Sequence, residues 1–570
     1  MNCRMIWRAA TLSCAALLVV GCDNRDNTEP AAWFSEEAER RGIDFRHHSG
    51  STGHHLLPEI VGSGAAMADF DGDGDLDIYI VQSGILATAE PGTGASVKNR
   101  LYINRGDGYF DEATEAHGAA DSGYGMGVTA GDYDGDGDVD LYVTNVGPNV
   151  LLNNDGRGFF EDVSTVAGVA DPGWGTAATF IDLDSDGDLD LFIVNYLNWS
   201  EAIEMTCYGR GVRAYCPPQS YNLPAADRLY RNNGDGTFTD VSERAGLNQT
   251  FGNGLGVVAG DFDSDGRTDL FVANDMMVNQ LWLNQGALRF KDEAMLWGVA
   301  LDENGVAKSG MGVASEDVDD DGDPDLLIVN LQGETDSFFR NEGTHFTDDT
   351  ASIGLGTRSR KYTRWGVALA DFNNDGRLDL YQANGRLNPG QPFDGNGDAY
   401  AEPNTLYQGT PHGQFAEVKP TGGTNELALH TSRGLTIGDV NNDGGLDMLV
   451  INRDGPAYLL MNQVAASGNW VRFEVLTAEG HHANGASVAA TIASRRVKRH
   501  SQTAGSYLAS NDPRVHFGLG LEITARDVTV HWSDGAQEAF GDFTAGSTNS
   551  LQRGAGTSLV SAVSKSQGQQ

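Results

Sequence analysis

Asp132-Tyr-Asp-Gly-Asp-Gly-Asp-Val-Asp140 sets five carboxylates in nine residues, with a glycine at the sixth place. Such a density of acid in one tight turn is self-repelling unless a cation sits among the side chains. Oxygen-only donors around a glycine turn suit Ca²⁺ rather than zinc or copper. The pattern D-x-[DN]-x-D-G-x-x-D recurs at 69–77, 182–190, 261–269, 317–325, 371–379 and 439–447, seven copies in all. The ligand candidates occupy places 1, 3, 5 and 9. They are Asp69, Asp71, Asp73 and Asp77; Asp132, Asp134, Asp136 and Asp140; Asp182, Asp184, Asp186 and Asp190; and Asp261, Asp263, Asp265 and Asp269. The later copies supply Asp317, Asp319, Asp321 and Asp325; Asp371, Asn373, Asp375 and Asp379; and Asp439, Asn441, Asp443 and Asp447. In each, a backbone reversal at the sixth-place glycine turns the seventh-place carbonyl toward the ion. Up to seven Ca²⁺ are expected, each stapling the two strands that flank its loop. The two loops with asparagine at place 3 have one charge fewer and are expected to bind most weakly.

Working outward, each loop follows a run of small residues, such as Gly125-Met-Gly-Val-Thr-Ala-Gly131, and precedes an apolar strand, such as Leu141-Tyr-Val-Thr144. A second element, L-Y-x-N-x-G, is seen at Leu101–Asn104, Leu151–Asn154, Leu229–Asn232, Leu281–Asn284, Phe338–Asn341, Leu406–Gly409 and Leu459–Asn462. Most copies run into Asn/Asp/Gly turns, which is hairpin chemistry. A third element, F-x-[DE], begins at Phe110, Phe160, Phe238, Phe290, Phe346 and Phe415, and no copy follows Asn462. The missing copy is Trp33-Phe-Ser-Glu36, at the other end of the chain. Four strands per repeat and seven repeats predict an all-β, seven-bladed β-propeller over 33–463, its last sheet completed by the strand near Phe34. Closure removes the free edges of an open array.

Composition agrees with this reading. The 570 residues carry 80 acids against 38 Lys and Arg, a net charge of −42, and 31 of those acids lie within the seven loops. Seven divalent ions, fourteen positive charges, would bring −42 to −28. A surface this acidic excludes nonspecific nucleic-acid binding. Regular apolar strands separate the chain from disordered acidic proteins.

At the N-terminus, Arg4 and Arg8 precede the apolar run Ala9–Val20, and Val19-Val20-Gly21-Cys22 reads as a lipobox. Residues 1–21 are thus expected to be a lipoprotein signal peptide. Acylation at Cys22 would tether the chain to a bacterial cell envelope, periplasmic or at the cell surface. An ordinary signal peptide that happens to contain a cysteine is the alternative. In an exported chain Cys207 and Cys216 are expected to form a disulfide, with a thiolate metal site as the alternative. The aromatic segment Tyr215–Tyr221 beside them is a candidate ligand-binding cover for the propeller mouth. His47, His48, His54 and His55 form either a transition-metal site or a polar loop. Arg495, Arg496, Lys498, Arg499 and His500 form either an anion-docking patch or a solvated edge strand.

Residues 465–553 read as a separate small β-domain, and 554–570, rich in Gly, Ser and Gln, as a disordered tail. The acidic loops resemble FG-GAP/VCBS repeats, the calcium-binding blades of integrin α-subunits. His516-Phe-Gly-Leu-Gly520 and Val530-His-Trp-Ser-Asp-Gly535 resemble an ASPIC/UnbV domain. The combination is similar to bacterial members of the cartilage acidic protein family. That resemblance implies a secreted calcium-binding protein that adheres to, or recognises, a protein or polysaccharide partner. The alternative is a propeller enzyme of lyase or cyclase type, with its site on the top face or in the central channel. Nucleophile elbow, P-loop and zincin motifs are missing from the sequence.

Overall fold

A computed structural model describes residues 31–86, 97–209, 211–392 and 397–559. The expected signal peptide, Cys22 and residues 560–570 of the expected tail lie outside them.

Seven four-stranded antiparallel sheets, numbered I to VII here, follow one another along the chain. Their first strands are Ala65–Ala68, Gly125–Gly131, Gly175–Ile181, Gly254–Gly260, Val313–Glu316, Arg364–Ala370 and Ser432–Gly438. Each first strand packs on the next, and the first strand of sheet VII packs on that of sheet I, so the ring is closed. The fold is a β-propeller. Its closure uses the segment expected from the sequence: Phe34–Glu36 is the outer strand of sheet VII, with Phe34 opposite Asn462. The same Phe-to-Asn register recurs at Phe160 and Asn154 in sheet II.

The small-residue runs before the loops are the first strands themselves, which lie where the sheets crowd the axis. A Cβ on Gly64 would fall 1.6 Å from the carbonyl oxygen of Leu508, so no larger residue fits there.

Residues beyond the ring form a sandwich of two sheets. Asn469–Leu476 is the middle strand of one, and Ser487–Ile492 and Thr524–His531 are adjacent strands of the other. The domain extends past residue 553, where the sequence reading ended it, because Thr557–Ser558 pairs with Glu538 and Ala539. Nor does it stand apart. Residues 503–512 leave the sandwich and run into the central channel. Ser506 exchanges backbone hydrogen bonds with Val313, Leu508 O accepts from Val128 N, and Ser510 O accepts from Met67 N and Thr436 Oγ1. Tyr507 and Leu508 are buried at the tip of this plug, and the Tyr507 hydroxyl donates to Val61 O.

Candidate functional site

Each acidic loop joins the first and second strands of its sheet, so all seven open on one face of the ring. The sixth-place glycine takes a left-handed conformation in every copy; Gly137 has φ 97°. The fourth place does so too, even where it holds Ser185, Asp320 or Asn374, a strain the sequence pattern did not reveal.

Within a loop the carboxylates have distinct surroundings. The first-place acid caps the turn: Asp132 Oδ1 accepts from Gly135 N and Asp136 N, and Oδ2 from Gly137 N. The ninth-place acid is buried, and each of its oxygens takes one backbone N–H. Asp140 Oδ2 accepts from Tyr133 N and Oδ1 from Asn154 N. Burial first, then the neighbouring loop carboxylates, push Asp77, Asp190, Asp269 and Asp325 up to about 8.

In loops I to V, three carboxylate oxygens lie within 4.8 Å of one another, from Asp69, Asp71 and Asp77 in the first and from places 1, 3 and 5 in the others. Asp71 Oδ1 and Asp184 Oδ1, at place 3, are buried and accept no hydrogen bond. Converging carboxylate oxygens, two of them orphaned, fit a hard divalent cation. Loops VI and VII differ. Asn373 Nδ2 donates to Asp375 Oδ2, and Asn441 Nδ2 to Asp443 Oδ2, so an amide occupies part of the place a cation would take.

The asparagine of L-Y-x-N fastens the ring, a role its recurrence did not disclose. Asn154 Nδ2 donates to Val139 O of its own loop and to Phe70 O of the loop before it. Asn232, Asn284, Asn341 and Asn462 repeat the clasp, and Asn104 closes the circle on Val440 O. Gly409 stands at this place in sheet VI, so the V–VI seam has no clasp. A cleft of about 630 Å³ lies there.

The C-terminal sandwich covers this seam with the basic run. Arg495 Nε donates to Asp320 Oδ2 in loop V and Nη1 to Gly376 O in loop VI. Lys498 Nζ donates to Gly322 O and Arg499 Nη1 to Asp317 O. Arg472 pairs with Asp439 at 2.9 Å, both side chains buried. Arg495–His500 is the edge strand of its sheet, as one reading of the sequence expected, but apart from the exposed Arg496 its charges are turned onto the acidic loops rather than left in solvent.

On the opposite face, Cys207 and Cys216 are disulfide-bonded. Their hairpin is inserted between the second and third strands of sheet III, a connection that leaves the ring away from the loops. Tyr215, Cys216 and Tyr221 pack with Trp174, Met311 and Trp365 over the channel mouth, as expected for a cover. The histidines beside it do not form a metal group among the described residues. His47 is buried, its Nδ1 accepting from Asp454 N with Ser83 Oγ 3.0 Å from Nε2, while His55 packs against Tyr215.

Comparison with known proteins agrees with this anatomy. The FG-GAP-like repeat model matches residues 69–143, 132–193, 220–272, 261–328 and 317–381, and the ASPIC and UnbV model matches 477–558. The chain belongs to the FG-GAP repeat family. It is 29% identical to cartilage acidic protein 1 of Mus musculus over 306 residues, 52% of this chain and 44% of that protein. For the Homo sapiens protein the identity is 28%, with 52% and 43% covered. The chain thus spans less than half the length of these FG-GAP relatives. Among solved structures, YCF48 from Cyanidioschyzon merolae aligns with a TM-score of 0.38 at 11% identity, covering 71% of this chain and 96% of that one.

Proposed function

We propose that this FG-GAP protein is an exported, membrane-tethered, calcium-binding propeller that recognises a protein or polysaccharide partner of the cell envelope. The observation that carries the calcium reading is the convergence of three carboxylate oxygens in each of loops I to V, with Asp71 Oδ1 and Asp184 Oδ1 buried and without a donor. Ca²⁺ would supply the missing positive charge, and because it binds only the folded loop, its binding free energy adds to folding free energy. Loops VI and VII, each with an Asn–Asp contact, would bind more weakly.

Recognition is favoured over catalysis by what lies along the axis. The plug carrying Tyr507 and Leu508 occupies the axis and is hydrogen-bonded to the inner strands, which weighs against an active site in the central channel. The mouth on the opposite face is lined mainly by apolar and aromatic side chains rather than by convergent acids and bases. Lipidation at Cys22 is the proposed tether. Calorimetric Ca²⁺ titration, together with pull-down from the envelope with and without chelator, tests the reading. Absence of Ca²⁺ binding would refute the metal, and capture indifferent to chelator would refute its role in recognition.

A further inference from the structure

The disulfide-bonded hairpin roofs a cavity of about 270 Å³. Leu255, Met311 and Trp365, at the starts of three first strands, contribute to its lining, as does the short helix Pro58–Val61. Asp275 is the one carboxylate in the lining, and no lysine, arginine or histidine among the described residues joins it. Its Oδ2 accepts a 2.7 Å hydrogen bond from the Tyr196 hydroxyl, and no basic nitrogen among the described residues lies within ion-pair distance of it. The nearby Glu334 adds to the negative field there.

Two buried cations lie behind the aromatic residues of the lining. The Arg433 guanidinium is 3.8 Å from the Trp365 ring centroid and donates to the carbonyls of Ile60, Gly385 and Ser432. Arg453 lies 5.7 Å from the Tyr215 ring centroid and pairs with Asp454. Neither arginine is part of the lining: each lies behind a lining ring, Arg433 held by backbone carbonyls and Arg453 by Asp454, so the ionisable side chain that the lining itself presents is the Asp275 carboxylate.

We propose that this cavity binds a compact apolar amine: a primary ammonium on an aromatic or branched alkyl group. The ammonium would form a charge-assisted hydrogen bond to Asp275, and the aromatic and aliphatic lining would take up the apolar body. At about 30 Å³ for each water-sized group, the space takes roughly nine non-hydrogen atoms. A ligand with a carboxylate in place of the ammonium would meet Asp275 with like charge. The proposal stands apart from the calcium reading, because none of these residues belongs to an acidic loop.

The test uses the full chain in millimolar Ca²⁺, with 2-phenylethylamine and benzoate, equal in their number of non-hydrogen atoms, as the amine and acid probes. Saturation-transfer NMR and calorimetry are expected to show saturable binding of the amine and at least tenfold weaker binding of the acid. Asp275→Asn should weaken the amine at least tenfold while leaving the melting temperature and the Ca²⁺ titration unchanged. Leu387→Trp, which fills one side of the cavity, should abolish amine binding. Equal binding of the two probes, no binding of either, or amine binding untouched by either substitution in a folded variant would overturn the proposal. Should Asp275→Asn fail to fold, Leu387→Trp decides alone, and undiminished amine binding there would overturn it.

Discussion

Replacing Asn284 with alanine should loosen the ring between sheets III and IV. The side chain is 1% exposed and makes three hydrogen bonds. Its Nδ2 donates to Leu183 O at 2.8 Å and to Thr268 O at 3.1 Å, and its Oδ1 accepts from Gly286 N at 2.9 Å. Alanine withdraws the shared donor from two carbonyls at the sheet interface. A net hydrogen bond contributes about 1 kcal/mol, and a buried group left unsatisfied costs about 1–3 kcal/mol. The expected loss is therefore about 3 kcal/mol. Asn284 is not among the loop ligands, so the loss should be equal with Ca²⁺ saturating or absent. Urea unfolding of the variant beside Gln285→Ala, which alters the exposed neighbour, measures it. A loss below about 1 kcal/mol, or one no larger than that of Gln285→Ala, would refute the clasp.

Gly409→Asn restores the repeat consensus yet should destabilise, by about 1–3 kcal/mol, because a Cβ there would lie 2.2 Å from Leu378 O; a raised urea midpoint would contradict this. His47 is held neutral by burial, which lowers it from 6.5 to about 3. The unfolded chain therefore binds its proton first as pH falls, and the stability His47 contributes is full above pH 6.5 and lost toward pH 3. His47→Gln should flatten the stability profile between pH 6.5 and 5 by up to about 1.4 kcal/mol per pH unit. Urea melts across that range giving an unchanged slope would count against it.

Much of the ring was legible because its pattern is local and repeated. The acid spacing marks each turn, and an orphan copy of the third element pointed to Phe34–Glu36 as the closing strand. The clasp was written in the same letters, but an asparagine before a turn is also ordinary hairpin chemistry, and only the contact of Asn154 with Phe70 O in the preceding sheet distinguishes the two. The plug was not legible. Gly505-Ser-Tyr-Leu508 has no periodicity that says it leaves its own domain, and the partners of the plug are inner strands distributed from Met67 to Thr436. The role of Arg495, Lys498 and Arg499 had one available signal: a dense basic run in a chain of net charge −42 has its own acidic loops as the nearest counter-charge. The cavity carboxylate, Asp275, follows a strand without any motif, so only the fold brings it under the Cys207–Cys216 hairpin.

If divalent cations bound among the loop carboxylates hold the ring together, as proposed, withdrawing them should loosen it. Heat denaturation of the purified chain in Ca²⁺ and in EGTA addresses this most directly. The melting temperature should fall in EGTA and recover on adding Ca²⁺ back. A melting temperature indifferent to the chelator would contradict the proposal.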